Sequence, residues 1–297
     1  MRNAALLRAL AALIALGLVA VSCGDDDTPA DTASAADTPV DDHDHDHDHD
    51  HDHAGDGPGG GDDHDHGPPV EIDAALAPSI ELVVEADPAG GINVAVATTN
   101  FTVVADAAST EHVEGEGHFH LYIDGTRATR FYNDAIYYAG VTEGEVEVMV
   151  EVSANDHRAY AVDGEPIMAK TTFTVPPHDH GDHDHGEAES IEWDGTAPEL
   201  AIEVVADPMT GYNAFITVSG MTLSAENVNG DHVAGEGHLH IYANGQKLGR
   251  LYGSETHIPV LPEGEVEITV GAFTNDHRHY VLGGDPIEAS TMITVSP

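Results

Sequence analysis

The sequence predicts an all-β fold that occurs twice in the chain. The stretch from Gly115 to Tyr122 recurs from Gly235 to Tyr242, and the same offset holds without a gap from Asp87/Asp207 to Val175/Val295. Within each copy, apolar residues alternate with polar ones, which is the pattern of strands with one buried face. No stretch of either copy sustains the 3.6-residue period of an amphipathic helix. Duplication, alternation and the missing helical period together predict two similar β-domains.

The elements of each copy are short strands separated by turn signals. Asp87-Pro88 ends the first alternating segments, and Asp124-Gly125 predicts a tight hairpin after the strand that begins at Gly115. The clearest strand opens at Glu143-Gly144 and places four valines on one face, at positions 146, 148, 150 and 152. About seven strands in about 100 residues predict an immunoglobulin-like β-sandwich for each copy.

Composition divides the chain into five parts. Residues 23–77 and 177–197 are rich in His, Asp, Gly and Pro and have no apolar face to bury, which predicts a disordered tether and a disordered linker. The predicted parts are a signal peptide (1–22), the tether (23–77), the first repeat (78–176), the linker (177–197) and the second repeat (198–297).

The charge of the chain excludes one class of partner. Asp and Glu number 54 against 9 Lys and Arg, and the formal net charge is -45 with His neutral. Nucleic-acid phosphates and anionic membrane surfaces would be repelled. We therefore expect no nucleic-acid partner, and we interpret most of the carboxylates as solubilising surface.

The N-terminus has the pattern of an export signal. Arg2 and Arg8 are followed by an apolar run from Ala9 to Val21, which is short for a membrane span and typical of a signal peptide. The run ends in Val19-Ala20-Val21-Ser22-Cys23-Gly24, which resembles the lipobox of bacterial lipoproteins, with Ala20 where that motif usually has Leu. The resemblance implies acylation of Cys23 and anchoring to a membrane face outside the cytoplasm. An ordinary signal peptide with an incidental cysteine is the alternative.

Two tracts alternate imidazole with carboxylate. Asp alone would solvate a linker, whereas imidazole adds nitrogen ligands that suit Zn(II), Cu(II) and Ni(II). The tracts resemble the His-rich loops of periplasmic zinc-binding receptors, which implies capture of metal ions. The candidate tract ligands are His43, His45, His47, His49, His51, His53, His178, His180, His183 and His185.

A His-x-His pair is the main candidate site of each repeat. Because successive side chains of a strand point to opposite faces, His118 and His120 share one face and Phe119 and Leu121 the other. The apolar face predicts a core, and the imidazole face is left for water or a metal. His238 and His240 repeat the pair.

Further histidines recur and could complete a site. The turn after the long valine strand carries His157 in one copy and His277 in the other, which predicts a third ligand if the two strands are neighbours. His112 and His232 are candidates for a fourth. His257 and His279 have no counterpart in the first repeat and either enrich the second site or are surface residues.

The ligand set limits the metal. Neither repeat contains Cys, and the methionines form no motif, so Cu(I) capture is disfavoured and Zn(II) or Cu(II), with Ni(II) as a further candidate, remain. Arg130/Arg250 and Tyr132/Tyr252 also recur, and we interpret them as a sheet-edge ion pair and an aromatic packing residue.

These observations predict an exported, membrane-anchored lipoprotein that binds transition-metal ions for buffering, storage or delivery, for example to a metal transporter or another envelope protein. A cell-envelope interaction or adhesion module is the alternative. A metalloenzyme is disfavoured: His-x-His before Asp-Gly resembles the Cu,Zn superoxide dismutase motif over fewer than ten residues, but one cysteine cannot form that family's disulfide. No nucleophile–base pair is visible, so we expect no enzymatic activity.

Overall fold

The computed structural model describes residues 67–177 and 189–296. Within those ranges the regular elements are strands, apart from a 3-10 turn at Ala105–Ala107, so the predicted all-β fold of two tandem β-sandwiches is confirmed. No helix in these ranges is long and apolar enough to cross a membrane. Cys23, the signal segment and the tract histidines at 43–53 and 178–185 lie outside the described residues.

The first repeat contains eleven strands, several of only two or three residues. In chain order they are β1 (Val70–Glu71), β2 (Ser79–Ala86), β3 (Ile92–Thr99), β4 (Thr102–Val103), β5 (Glu116–Ile123), β6 (Thr126–Phe131), β7 (Ala135–Tyr138), β8 (Gly144–Ala154), β9 (Tyr160–Val162), β10 (Glu165–Pro166) and β11 (Met168–Val175).

Two sheets of this repeat enclose the core. One has the order β2-β3-β7, and the other has the order β11-β8-β5-β4, with β6 also paired to β5. The core cluster includes Val94 from β3, Phe119 and Leu121 from β5, and Val148 and Val150 from β8. Burial therefore follows the alternation seen in the sequence, with one face of β5 inside the sandwich.

The second repeat has the same order of strands. They are β12 (Ser190–Glu192), β13 (Glu199–Ala206), β14 (Tyr212–Ser219), β15 (Thr222–Leu223), β16 (Glu236–Ala243), β17 (Gln246–Leu251), β18 (Glu255–Ile258), β19 (Gly264–Thr274), β20 (His279–Leu282), β21 (Asp285–Pro286) and β22 (Glu288–Val295). Its sheets pair as β13-β14-β18 and β22-β19-β16-β15, with β17 on β16.

Both repeats begin earlier than the sequence predicts. β1 pairs in parallel with β9, and β12 pairs in parallel with β20, so the folded repeats start near residues 70 and 190 instead of 78 and 198. Trp193 is buried against Tyr280, with 4.7 Å between ring centroids. A strand of two or three residues is too short to show alternation, which is why these segments read as tether and linker.

The imidazole-bearing faces of β5 and β16 are covered by the contact between the repeats, which belong to one compact unit. Arg130 forms an ion pair with Asp207 of the second repeat (Nη2–Oδ2 3.0 Å), and Arg250 forms the equivalent pair with Asp87 of the first (Nη2–Oδ1 3.1 Å). These four side chains are 0 to 3 % exposed. The interpretation of the arginines as sheet-edge residues is therefore wrong: they lie in a buried, reciprocal interface.

Two tyrosines complete this interface. The hydroxyl of Tyr132 donates to Asn213 Oδ1 at 2.8 Å, and that of Tyr252 donates to Asn93 Oδ1 at 2.6 Å. Each pair maps onto the other when the two repeats are exchanged. The contact is thus two-fold in its residue pairing, as expected of two copies that bury the same surface.

Candidate metal centres

The strand β5 positions two imidazoles side by side. His118 and His120 alternate with Phe119 and Leu121, which are fully buried in the core. Gly117 precedes the pair because the backbone of β8 passes very close there: a Cβ at Gly117 would overlap the carbonyl oxygen of Ser153. The irregularity in the pairing of β5 with β6 lies further along, where the register shifts between Leu121 and Tyr122.

The turn after β8 brings the third histidine to the pair. His118 pairs with Ser153 on β8, four positions before His157, so a chain reversal after Ala154 returns to the same spot. The amide of His157 donates to the carbonyl of Ala154 at 2.9 Å. His157 has φ 67° and His277 has φ 66°, a left-handed conformation that a residue with a side chain adopts only at some cost in free energy.

The three ligand nitrogens of the first repeat converge. His118 Nε2 lies 3.0 Å from His120 Nε2 and 3.0 Å from His157 Nδ1, and the latter two atoms are 3.2 Å apart. Three nitrogens this close together could all ligate one ion at the usual Zn–N distance of about 2.0 to 2.1 Å, and the ion would be held by His118, His120 and His157.

The second repeat holds an equivalent cluster. His238, His240 and His277 each offer a nitrogen, and these atoms lie within 4.8 Å of one another, as do those of the first cluster. His238 Nε2 and His240 Nε2 are 3.0 Å apart. We call the two clusters triad 1 (His118, His120, His157) and triad 2 (His238, His240, His277). They are the clusters of three or more metal-ligating side chains found among the described residues.

Burial keeps these imidazoles neutral. His118, His120 and His157 are 0, 1 and 3 % exposed. Desolvation, followed by the charge of neighbouring groups, holds the pKa of His118 and of His120 well below 6.5. Burial likewise lowers the pKa of His238 to about 2 and that of His277 to about 4. Neutral imidazole is the form that binds a metal, so His118 and His120 of triad 1 and the three histidines of triad 2 are in the ligating form at neutral pH.

Four other candidate histidines lie apart from the triads. The ring of His112 packs edge-on against Tyr160, and that of His232 packs against Tyr280. The structure therefore does not supply them as fourth ligands, because the loop before each Gly-Glu-Gly segment directs them to these tyrosines. His257 lies at the interface, 3.3 Å from Arg130 Nη2, and His279 stacks on Phe273. Neither His257 nor His279 enriches triad 2.

Local sequence patterns hardly indicate the residues that surround the triads. Ser109 and Asn229 contact the third histidine of their own repeats, and Asp207 and Asp87 reach them from the opposite repeat. Asp87-Pro88 and Asp207-Pro208 read as turn signals, and the aspartates do accept turn amides, from Ala89 and Met209. Their second role depends on the contact between repeats, which no local pattern encodes. One sequence feature does point to them. An arginine stands at the same strand position in both copies, Arg130 and Arg250, although the chain has only 9 Lys and Arg, and an arginine buried there would need an acidic partner.

No protein-family model and no curated protein matches the sequence. Three solved structures are similar over about three quarters of the chain. They are the fibronectin(III)-like modules of Clostridium thermocellum CbhA (12% identity, 74% of this chain, 94% of that chain, TM-score 0.21), the BSP domain of a biofilm associated protein (11%, 73%, 29%, 0.20) and SGBP-B of the Bacteroides ovatus mixed-linkage glucan utilization locus, in complex with a mixed-linkage heptasaccharide (12%, 74%, 70%, 0.21). At such TM-scores the fold assignment depends on the strand pairing described above.

Proposed function

We propose that this protein binds transition-metal ions in the cell envelope, one at each triad, and that it holds these ions without catalysing a reaction. The observation that carries the proposal is the convergence of three imidazoles in each repeat, all buried in triad 1, and in triad 2 buried at His238 and His240 with His277 partly exposed. Three imidazole nitrogens suit Zn(II) or Cu(II), with Ni(II) as a further candidate. Ligands closed off from bulk solvent favour retention of an ion over turnover of a substrate.

The remainder of the chain supports a role in capturing and passing on ions. The lipobox-like segment at Cys23 would anchor the mature protein outside the cytoplasm, and the His-Asp tracts would gather ions weakly near the triads. A metal transporter or another envelope protein is the partner that such a function requires. Buffering, storage and delivery all follow from the same two sites.

The number of metal ions bound per chain tests this proposal once the histidines of the tracts have been removed. We suggest a soluble chain of residues 24–297 in which the tract histidines, including His64 and His66, are replaced by glutamine. After loading with Zn(II) or Cu(II) and desalting, this protein should retain two ions per chain. Combining His118→Ala with His238→Ala should abolish retention.

A matched control uses histidines that lie outside the triads. His112→Ala combined with His232→Ala removes the same number of imidazoles and should leave two ions per chain. Retention that survives loss of His118 and His238, or no retention by the parent protein, would refute the proposal. The cell-envelope interaction module would then become the leading interpretation.

A further inference from the structure

Each triad is connected by hydrogen bonds to an aspartate of the opposite repeat. In the second repeat, His277 Nε2 lies 2.6 Å from Asn229 Oδ1, and Asn229 Nδ2 donates to Asp87 Oδ2 at 2.9 Å. In the first repeat, His157 Nε2 lies 2.7 Å from Ser109 Oγ, and Ser109 Oγ donates to Asp207 Oδ1 at 2.8 Å. Ser109 and Asn229 are equivalent in the repeats, and so are Asp87 and Asp207.

The path in the second repeat determines which nitrogen of His277 carries the proton. An ionised carboxylate only accepts hydrogen bonds, so the Asn229 amide must turn its NH2 group toward Asp87. Its carbonyl oxygen then faces His277, and His277 Nε2 must donate. The proton on Nε2 leaves the lone pair of Nδ1 free to face triad 2.

The path in the first repeat has the same polarity. Asp207 takes the Ser109 hydrogen, so the hydroxyl oxygen accepts from His157 Nε2 and the Nδ1 lone pair faces triad 1. Arg130 Nη1 competes at this point, because it lies 3.1 Å from Ser109 Oγ and 3.0 Å from His157 Nε2. A guanidinium only donates, so a hydrogen bond from Arg130 to His157 Nε2 requires the tautomer with its proton on Nδ1, whereas donation from Arg130 to Ser109 leaves the proton on Nε2 and keeps the metal-binding tautomer.

We propose that Asp207 is a positioning residue for triad 1 and Asp87 for triad 2, so that each metal centre is completed by the opposite repeat. The inference depends on the metal-binding function proposed above. Partners beyond the ligands commonly fix the tautomer and ring orientation of a ligating histidine. Here those partners, Ser109 and Asn229, are themselves held by a carboxylate across the interface.

This arrangement couples metal binding to contact between the repeats. A metal prefers the tautomer that the opposite aspartate stabilises, and the aspartate is in place only when the repeats are docked. The coupling is reciprocal: an ion at a triad should tighten the docked state by the same factor by which docking raises the ion's affinity. Each aspartate acts chiefly on the triad that its own hydrogen-bonded path reaches, Asp207 on triad 1 and Asp87 on triad 2.

The test is a crossed set of variants in the tract-free protein described above. One background carries His238→Ala and keeps triad 1, and the other carries His118→Ala and keeps triad 2. Into each we would place Asp207→Asn or Asp87→Asn and measure the affinity for Co(II), whose visible absorption reports the ligand geometry. Asp207→Asn should weaken triad 1 about 10- to 100-fold and spare triad 2, while Asp87→Asn should do the reverse.

A second pair of variants separates positioning from support of the interface. Ser109→Ala keeps the Arg130–Asp207 ion pair but removes the hydroxyl, and it should weaken triad 1 by a comparable factor. Ser109→Asn introduces the residue that the second repeat uses and should restore affinity. Tyr132→Phe removes an interface hydrogen bond that does not lead to His157, and it should leave the Co(II) affinity and spectrum unchanged.

The outcomes discriminate between the two proposals. If both single-triad backgrounds fail to bind Co(II), the metal-binding function itself is wrong. If they bind but Ser109→Ala and Asp207→Asn leave triad 1 unaffected, metal binding stands and positioning across the interface is refuted. Equal loss at both triads in the Asp207→Asn protein would also refute it, because a general loss of docking shows no preference for the opposite repeat.

Discussion

Triad 1 and triad 2 consist of equivalent histidines, but the residues around them differ. On β8, Glu151 and Ser153 lie opposite His120 and His118, whereas Gly271 and Phe273 occupy the equivalent positions on β19. Ser153 Oγ is 3.2 Å from His120 Nδ1, so the first site offers a polar partner to the nitrogen that points away from the metal position. Glu151 Oε1 lies 3.8 Å from the same nitrogen.

The second site is more apolar around its ligands, and its nearby cation is Lys247, at the position where the first repeat has Arg127. Phe273 stacks on His240 with ring centroids 3.9 Å apart, and the hydroxyl of Tyr242 lies 3.3 Å from His240 Nδ1. Lys247 Nζ lies 3.3 Å from His240 Nε2, a nitrogen that would ligate the ion. An ammonium group there opposes a bound cation and must move when the ion enters.

The difference shows that a duplicated ligand set need not give duplicated affinity. Each triad has a cation at the equivalent position, Arg127 or Lys247, but only triad 1 has the carboxylate of Glu151 to offset the charge of an ion, because Gly271 occupies that position beside triad 2. We therefore expect triad 1 to bind more tightly and triad 2 to exchange its ion more readily, an arrangement that suits a protein that both stores and transfers metal.

The largest effect should come from removing one ligand from one triad. His120→Ala leaves only triad 2 and His240→Ala leaves only triad 1, and each should lower retention from two ions to one because a three-ligand site loses most of its affinity with one ligand. Competition with a chelator of graded strength should then show tighter binding by the His240→Ala protein. Equal chelator resistance in the two proteins would contradict the ranking of the sites.

Acidification should have the next largest effect, a loss of folding stability that comes from the buried histidines. His277 has a pKa lowered only to about 4, whereas that of His118 is held well below 6.5 and that of His238 falls to about 2. A histidine that stays neutral in the fold but is protonated when unfolded makes stability fall as the pH drops below about 6.5, and the fall continues to about pH 4 for His277.

Thermal melts of the metal-free protein between pH 7 and pH 4 would measure this loss. His277→Gln removes a group whose pKa is lowered from 6.5 to about 4 in the fold, so it should flatten part of the decline. A melting temperature independent of pH across this window would show that the triads are not buried in the neutral form.

Sequence patterns predicted which histidines come together in each repeat better than they predicted the residues around those histidines. A strand has a period of two, so the common face of His118 and His120 followed from spacing alone, and the repeated turn histidine pointed to His157. What spacing could not show was the burial of that face. The covering residues come from the opposite repeat, and the Ser109–Asp207 hydrogen bond joins positions 98 apart in the chain.

There is a physical reason why the interface between the repeats could not be predicted from the sequence. A sheet that is buried on both faces differs in sequence from a sheet with one solvent-exposed face only at the positions that point away from the core. Here those positions carry His, Arg and Tyr instead of aliphatic residues. Polar residues on the face that points away from the core normally indicate that this face is exposed to solvent. Only their pairing with Asp87, Asp207, Asn93 and Asn213 of the other repeat makes their burial favourable.

Removing the charge of Lys247 should bring the metal affinities of the two triads closer together. Lys247→Met keeps an unbranched side chain and removes the charge near His240 Nε2, so we expect triad 2 to bind Zn(II) about 3- to 10-fold more tightly, as is reasonable for an exposed charge that solvent screens in part. Titration of the His120→Ala background would measure it. Lys170→Met, which alters an exposed ion pair with Glu147 in the first repeat, is the matched control and should leave triad 2 unchanged.

The smallest expected change concerns Glu151. Burial raises the pKa of this carboxyl, and hydrogen bonds from Ser153 and Tyr122 oppose that rise. Because Glu151 lies 3.8 Å from His120 Nδ1, its charge acts on the ligand at a distance longer than a hydrogen bond. Glu151→Gln should therefore weaken triad 1 only several-fold, less than the loss expected for a directly bonded partner. Chelator competition in the His240→Ala background would detect it, with Glu145→Gln, exposed on the same strand, as control. Unchanged affinity would mean that Glu151 does not distinguish the two sites, whereas a loss as large as that of Ser109→Ala would make Glu151 a direct partner of His120 in the metal-bound protein.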